Sequence, residues 1–145
     1  MNIVHLSEDT AVSEMERWQV DQPPRFNAAF STVAQSDDSV HLGIFSDSHL
    51  QSVVTLQPRG PGIYEVHLAM RKGAAVTELL PAFLSIRTQL FGQLGVREIS
   101  GWVPTLHWGV RKVAEQVGFT ESGATLLQMI GSRLTEWKQL ILKVN

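Results

Sequence analysis

Between Val40 and Leu94 the spacing of apolar residues changes once, and that change restricts the fold more than any other feature of the chain. Up to Met70 the apolar residues come in short runs. Val40-His41-Leu42-Gly43-Ile44-Phe45 and Gln51-Ser52-Val53-Val54-Thr55-Leu56 flank the turn-rich Ser46-Asp47-Ser48-His49. Pro58-Arg59-Gly60-Pro61-Gly62 then leads to Ile63 to Met70. Short runs bounded by such residues predict three strands with tight turns, an antiparallel meander. From Thr77 to Leu94 the pattern is helical, with Leu79, Leu80, Phe83, Leu84, Ile86, Leu90, Phe91 and Leu94 on one periodicity. Thr77 is the expected cap, Pro81 fits the first turn, and Gly95 closes the helix.

The flanking segments extend the pattern. Asn2 to Leu6 reads as a strand, and Ser7-Glu8-Asp9 starts a helix reaching Val20. Pro23-Pro24 breaks it, and a weaker helical stretch runs from Phe26 to Ala34. After Gly95 come a strand from Glu98 to Val103 and a helix from Leu106 to Val117, ended by Gly118. Ala124 to Ile130 and Trp137 to Val144 read as two final strands. The order is β-α-α-β-β-β-α-β-α-β-β. A strand joined to its neighbour through a helix pairs with it in parallel, whereas hairpins are antiparallel. The expected class is therefore α/β, with a mixed, mostly antiparallel sheet flanked by helices. With 145 residues and neither repeat nor linker, residues 1–145 are expected to form a single domain.

Charge and composition exclude several functions. A net charge of −2, with basic residues grouped only as pairs such as Arg71-Lys72 and Arg111-Lys112, leaves no basic stripe for nucleic acid. A pair of cations suits one small phosphorylated ligand. No cysteine is present, so thiolate chemistry and disulfides are absent. Neither a signal-like N-terminus nor an apolar run of about 20 residues appears, so a cytoplasmic protein without membrane association is expected. Five scattered histidines lack the spacing of a zinc site.

The most specific stretch is His107-Trp108-Gly109-Val110-Arg111-Lys112-Val113-Ala114-Glu115-Gln116-Val117-Gly118-Phe119, followed by Glu121 and Gly123 and preceded by Trp102-Val103-Pro104. With the element order, it resembles the acetyl-CoA-dependent N-acyltransferases of the GNAT superfamily along essentially the whole chain. That family has Asn, Ala and Tyr at spaced positions on this helix, closed by Gly-Phe. Here His107, Val110 and Ala114 stand at those positions. The family's donor loop, Gln or Arg followed at fixed spacing by two small residues, aligns with Arg71, Ala74 and Val76. Free backbone N–H groups and a helix N-terminus there cradle a pyrophosphate. A β-branched Val76 at the closest approach is the main departure.

The resemblance implies acetyl transfer from acetyl-CoA to a small-molecule or protein amine. It places the pantetheine arm along Leu68 and Met70, and the phosphates at Arg71, Lys72, Gly73, Ala74, Ala75 and Val76. His107 and Arg111 are further donor-site candidates, although His107 also suits a helix cap and Arg111 a solvated face. Glu65 and His67 lie two apart on one strand and share a face, so either could be the general base or merely decorate that face. The four tryptophans read as core or interface anchors. Ala114 and Val76 also fit a second reading: a GNAT-like scaffold without turnover that binds other proteins, similar to proteins of tailed-phage particles. The apolar strand from Trp137 to Val144 could pair across a homodimer.

Overall fold

The structure, a computed structural model, describes residues 1–21, 38–71, 73–130 and 132–144. In chain order it contains β1 (Asn2–Leu6), α1 (Glu8–Asp21), β2 (Val40–Ser46), β3 (His49–Gly60) and β4 (Ile63–Met70). A short 3-10 turn (Val76–Leu79) leads into α2 (Leu80–Gln93), followed by β5 (Glu98–Pro104), α3 (Trp108–Val117), β6 (Thr120–Ile130) and β7 (Arg133–Lys143). The strand order is β1-β2-β3-β4-β5-β7-β6. β4 and β5 run parallel, and β1 with β2, β2 with β3, β5 with β7 and β6 with β7 run antiparallel. The mixed, mostly antiparallel sheet expected from the sequence is the one observed. The stretch from Phe26 to Ala34 lies outside the described residues.

The chain forms two compact units, Met1–Gln57 with Val66–Ala74, and Pro58–Glu65 with Ala75–Asn145. In the first, the helix signal at Ser7 is realised literally. Its carbonyl accepts from the Ala11 amide at 3.0 Å and its hydroxyl accepts from the Thr10 amide at 3.2 Å, satisfying donors that a helix start leaves open. Ala11, Met15 and Trp18 recur at helical spacing and bury against Leu6, Val53 and Ala69. β2 and β3 are joined by a two-residue turn with Asp47 and Ser48 at φ 51° and 65°. Two such residues give the primed turn that matches strand twist. Beneath the sheet surface, His41 Nδ1 lies 3.0 Å from Thr55 Oγ1, and the buried Ser52 hydroxyl donates to the Ala69 carbonyl at 2.8 Å.

In the second unit, the helix expected from Thr77 starts differently. Ala75 is extended and caps the 3-10 turn, and Leu79 is the cap of α2 proper. Proline is the reason: Pro81 has no N–H and is tolerated only in a first turn, so the α-helix begins immediately before it. Leu79, Ala82, Ile86 and Leu90 form the buried stripe. Leu84 and Leu94 fall outside that stripe and are exposed.

α3 ends as its glycine predicts. The amide of Phe119 bonds the Ala114 carbonyl at 3.0 Å and that of Gly118 bonds Glu115 at 3.0 Å, a Schellman closure with Gly118 at φ 117°. A Cβ at Gly118 would also stand 3.2 Å from Leu142 Cδ1 and 3.3 Å from Arg87 Nη1. Gly118→Ala is therefore expected to cost about 1–3 kcal/mol, from backbone strain and crowding together. Urea unfolding checks this through a lowered midpoint at unchanged slope.

β7 lies between β5 and β6 and is paired on both edges. This corrects the expectation that Trp137 to Val144 could pair across a homodimer, because its backbone groups are already used within the sheet. No helix among the described residues is long and apolar enough to cross a membrane. Among the same residues no three His, Cys, Asp or Glu side chains converge as metal ligands.

Candidate functional site

The site candidates begin on β4. Its ladder with β5 comprises Ile63↔Glu98, Tyr64↔Ile99 and Glu65↔Ser100. β4 nevertheless runs on to Met70, and β5 to Pro104. Toward β3, the Arg71 amide bonds the Gln51 carbonyl at 2.9 Å, and the Ala69 carbonyl takes the Ser52 hydroxyl. Successive residues of a strand turn their N–H and C=O groups to alternate edges. Leu68 and Met70 therefore direct theirs to the edge of β4 opposite β3. Leu68 is half-buried against the α1 core and Met70 is buried, which anchors that backbone.

Past Met70 the chain turns. The Ala74 amide bonds the Arg71 carbonyl at 3.0 Å, with Gly73 in the left-handed region at φ 83°. A Cβ built on Gly73 meets none of the described residues within 4 Å, so the turn is open to them on that side. The Arg71 guanidinium donates to Gln51 Oε1 at 3.3 Å. Lys72 lies outside the described residues.

On the second unit, Ala75 precedes the 3-10 turn and its carbonyl accepts the Glu78 amide at 3.1 Å. Val76 is half-buried, and its Cγ1 would be 3.7 Å from a Cβ on Gly109, in the first turn of α3. Its side chain is thus accommodated by a glycine on the neighbouring helix.

The base candidates have different surroundings. Glu65 is paired with Arg59: Oε2 accepts from Nε at 2.8 Å and from the second guanidinium nitrogen at 2.6 Å. Sequence reasoning missed Arg59, although opposite charges on either side of a tight turn were a usable signal. His67 is half-buried two residues further along β4, with Nε2 itself buried.

The α3 candidates are rearranged relative to expectation. His107 caps the helix by position, and its carbonyl accepts the Arg111 amide at 3.2 Å, but its side chain makes no capping bond. A histidine ring reaches less readily back to the N3 amide than a serine or aspartate does. Arg111 points to Glu121 at 3.2 Å and to the Thr105 carbonyl at 3.4 Å, and Lys138 joins Glu121 at 3.5 Å. Arg111 thereby braces β6 against α3. Trp108, expected as a core or interface anchor, lies outside the core, being 68% exposed. Lys112, four residues on, lies 5.4 Å from the centroid of its ring.

No protein-family model matches the sequence, and no curated protein does. Solved structures do. A chimera of the spermidine N-acetyltransferase SpeG from Vibrio cholerae and hSSAT superposes with a TM-score of 0.76 and 12% identity, over 99% of this chain and 96% of that one. The dodecameric spermidine N-acetyltransferase from Vibrio cholerae gives 0.75 and 11%, over 98% and 92%. An acetyltransferase of the GNAT family from Streptococcus pneumoniae gives 0.74 and 13%, over 99% of both chains. The chain has the GNAT fold. Identity of this order establishes the arrangement of the backbone, and one fold hosts many chemistries. Gly118 and Phe119 close α3, and Ala114 on that helix is half-buried.

Proposed function

We propose that the chain is an N-acyltransferase that moves an acetyl group from acetyl-CoA to an amine. The observation that carries the reading is the β4–β5 ladder, which stops at Glu65↔Ser100 although both strands continue. A strand with backbone groups turned to an edge beyond its ladder can take an extended amide-bearing arm as an added strand. Leu68 and Met70 are the residues proposed for that pairing.

The turn that follows fits a pyrophosphate. Gly73 has no described residue within 4 Å of a built Cβ, and Val76 Cγ1 lies 3.7 Å from a Cβ built on Gly109. Arg71, Lys72, Gly73, Ala74, Ala75 and Val76 are proposed to hold the phosphates, chiefly through backbone N–H groups, with cations supplied by Arg71 and Lys72. His107 is proposed to border the arm. Arg111 is committed to Glu121 and is left out of the donor site.

When bound, acetyl-CoA supplies the acyl group as a thioester. The Met70 N–H offers a donor to the negative charge that develops on the carbonyl oxygen. His67 is proposed to take the proton from the acceptor nitrogen, because the Glu65 carboxylate is already held by Arg59. An amine acceptor agrees with the names of the similar spermidine N-acetyltransferases.

Binding of the donor is tested by thermal unfolding. At about 100 times its dissociation constant, CoA should stabilise the protein by roughly 2.7 kcal/mol, raising Tm by roughly 5–10 °C. Arg71→Ala should reduce the rise. No shift at millimolar CoA overturns the transferase reading and leaves a protein-binding scaffold.

A further inference from the structure

We propose that β6 pairs with β6 of a second copy of this chain, edge to edge and antiparallel about a two-fold axis. In the second compact unit β6 is bonded to β7 on one side and to no described strand on the other. An open edge offers a row of backbone N–H and C=O groups to any strand that can reach it, and proteins usually blunt such edges with charge, proline or a bulge. β6 does so only at its start, where the register with β7 shifts between Glu121 and Thr125. Over residues 125–130 the ladder is unbroken, and residues 122–130 include neither a charge nor a proline.

The side chains add an apolar strip to that edge. Opposite residues of an antiparallel pair share a face, so the pairs Met129↔Leu134 and Leu127↔Glu136 place Leu127, Met129 and Leu134 on one face of the hairpin. They are 68%, 53% and 61% exposed. Large apolar residues grouped in this way mark an interaction site. The occupant has to be an extended segment that is neutral where it meets residues 125–130. A second β6 meets that requirement by construction, with Glu121 beyond the bulge and already held by Arg111 and Lys138. A two-fold axis normal to the sheet keeps each face on its own side, so the strips of both copies merge. The contact then closes at two copies, with both β6 edges used. This interface is independent of acetyl transfer.

The test is the mass of the full chain in solution, by sedimentation velocity over a concentration series, together with hydrogen exchange of the β6 amides. Wild type should be a dimer in which the amides of residues 125–130 exchange more slowly at high concentration than after dilution to monomer. Leu127→Lys and Met129→Lys each bring two ammonium groups to the contact and should raise the dimer dissociation constant about 100-fold. Leu94→Lys, at an exposed apolar residue just beyond α2, should leave it unchanged. Both strip variants should match wild type in Tm once all are monomeric. A wild type that is monomeric at every concentration overturns the proposal. So does a dimer that both strip variants keep, or one whose β6 amides gain no protection. If Leu94→Lys weakens the dimer equally, the strip is not the interface.

Discussion

His67→Ala is expected to lower kcat for acetyl transfer about 100- to 10,000-fold, the contribution of a positioned general base. That corresponds to roughly 3–5 kcal/mol of transition-state stabilisation. Imidazole titrates near neutral pH, so it can both accept a proton from an ammonium acceptor and release it again. Glu65 shares the strand face, but two N–H groups of Arg59 hold its Oε2, and moving a proton there competes with that ion pair. Glu65→Gln should therefore slow the reaction less than His67→Ala does. The measurement is thiol release from acetyl-CoA with a panel of amines, followed across pH. Wild type should lose rate on the acidic side, and the alanine variant should lack that limb while keeping its CoA-induced rise in Tm. A kcat within twofold of wild type removes His67 from the chemistry. A lost CoA response instead assigns the residue to structure.

Trp18→Ala should cost about 3–5 kcal/mol, a large part of the roughly 5–15 kcal/mol that keeps a domain folded. Trp18 is 3% exposed and completes the stripe with Ala11 and Met15 that seats α1 on Leu6, Val53 and Ala69. Removing the indole opens a cavity that a two-turn stripe of small and flexible neighbours fills only in part. Its Nε1 is buried and has no hydrogen-bond partner among the described residues, so Trp18→Phe gives up no bond seen there and removes only some volume. Phenylalanine should therefore be much milder than alanine. Trp108→Ala provides the contrast: an exposed site should change stability by no more than about 0.5 kcal/mol. Urea midpoints of the three variants decide the matter. A loss under about 1 kcal/mol for Trp18→Ala would mean that α1 does not depend on this core.

Local rules made much of the chain legible. Ser7 is a helix start because its hydroxyl can reach an open amide three residues on, and Gly118 is a stop because it adopts a left-handed conformation without a side-chain clash. The bounds Ile63–Met70 of β4 follow from an apolar run between turn residues. The resemblance carried by the stretch around Gly118-Phe119 led to the fold that the backbone displays. What escaped is instructive: Trp108 and Lys112 stood at the i, i+4 spacing of helical neighbours, but nothing local said which face of α3 would be left open.

Among the described residues, the amino-acid order by itself determined which segments are strands and helices, since capping, turn preference and apolar period act over a few residues. Only the tertiary structure decided that β7 inserts between β5 and β6, that Arg59 holds Glu65, that Arg111 turns to Glu121, and that Val76 meets Gly109. Those outcomes depend on strand register and helix docking, where many weak contacts between residues distant along the chain are satisfied together. No single residue's propensity encodes them.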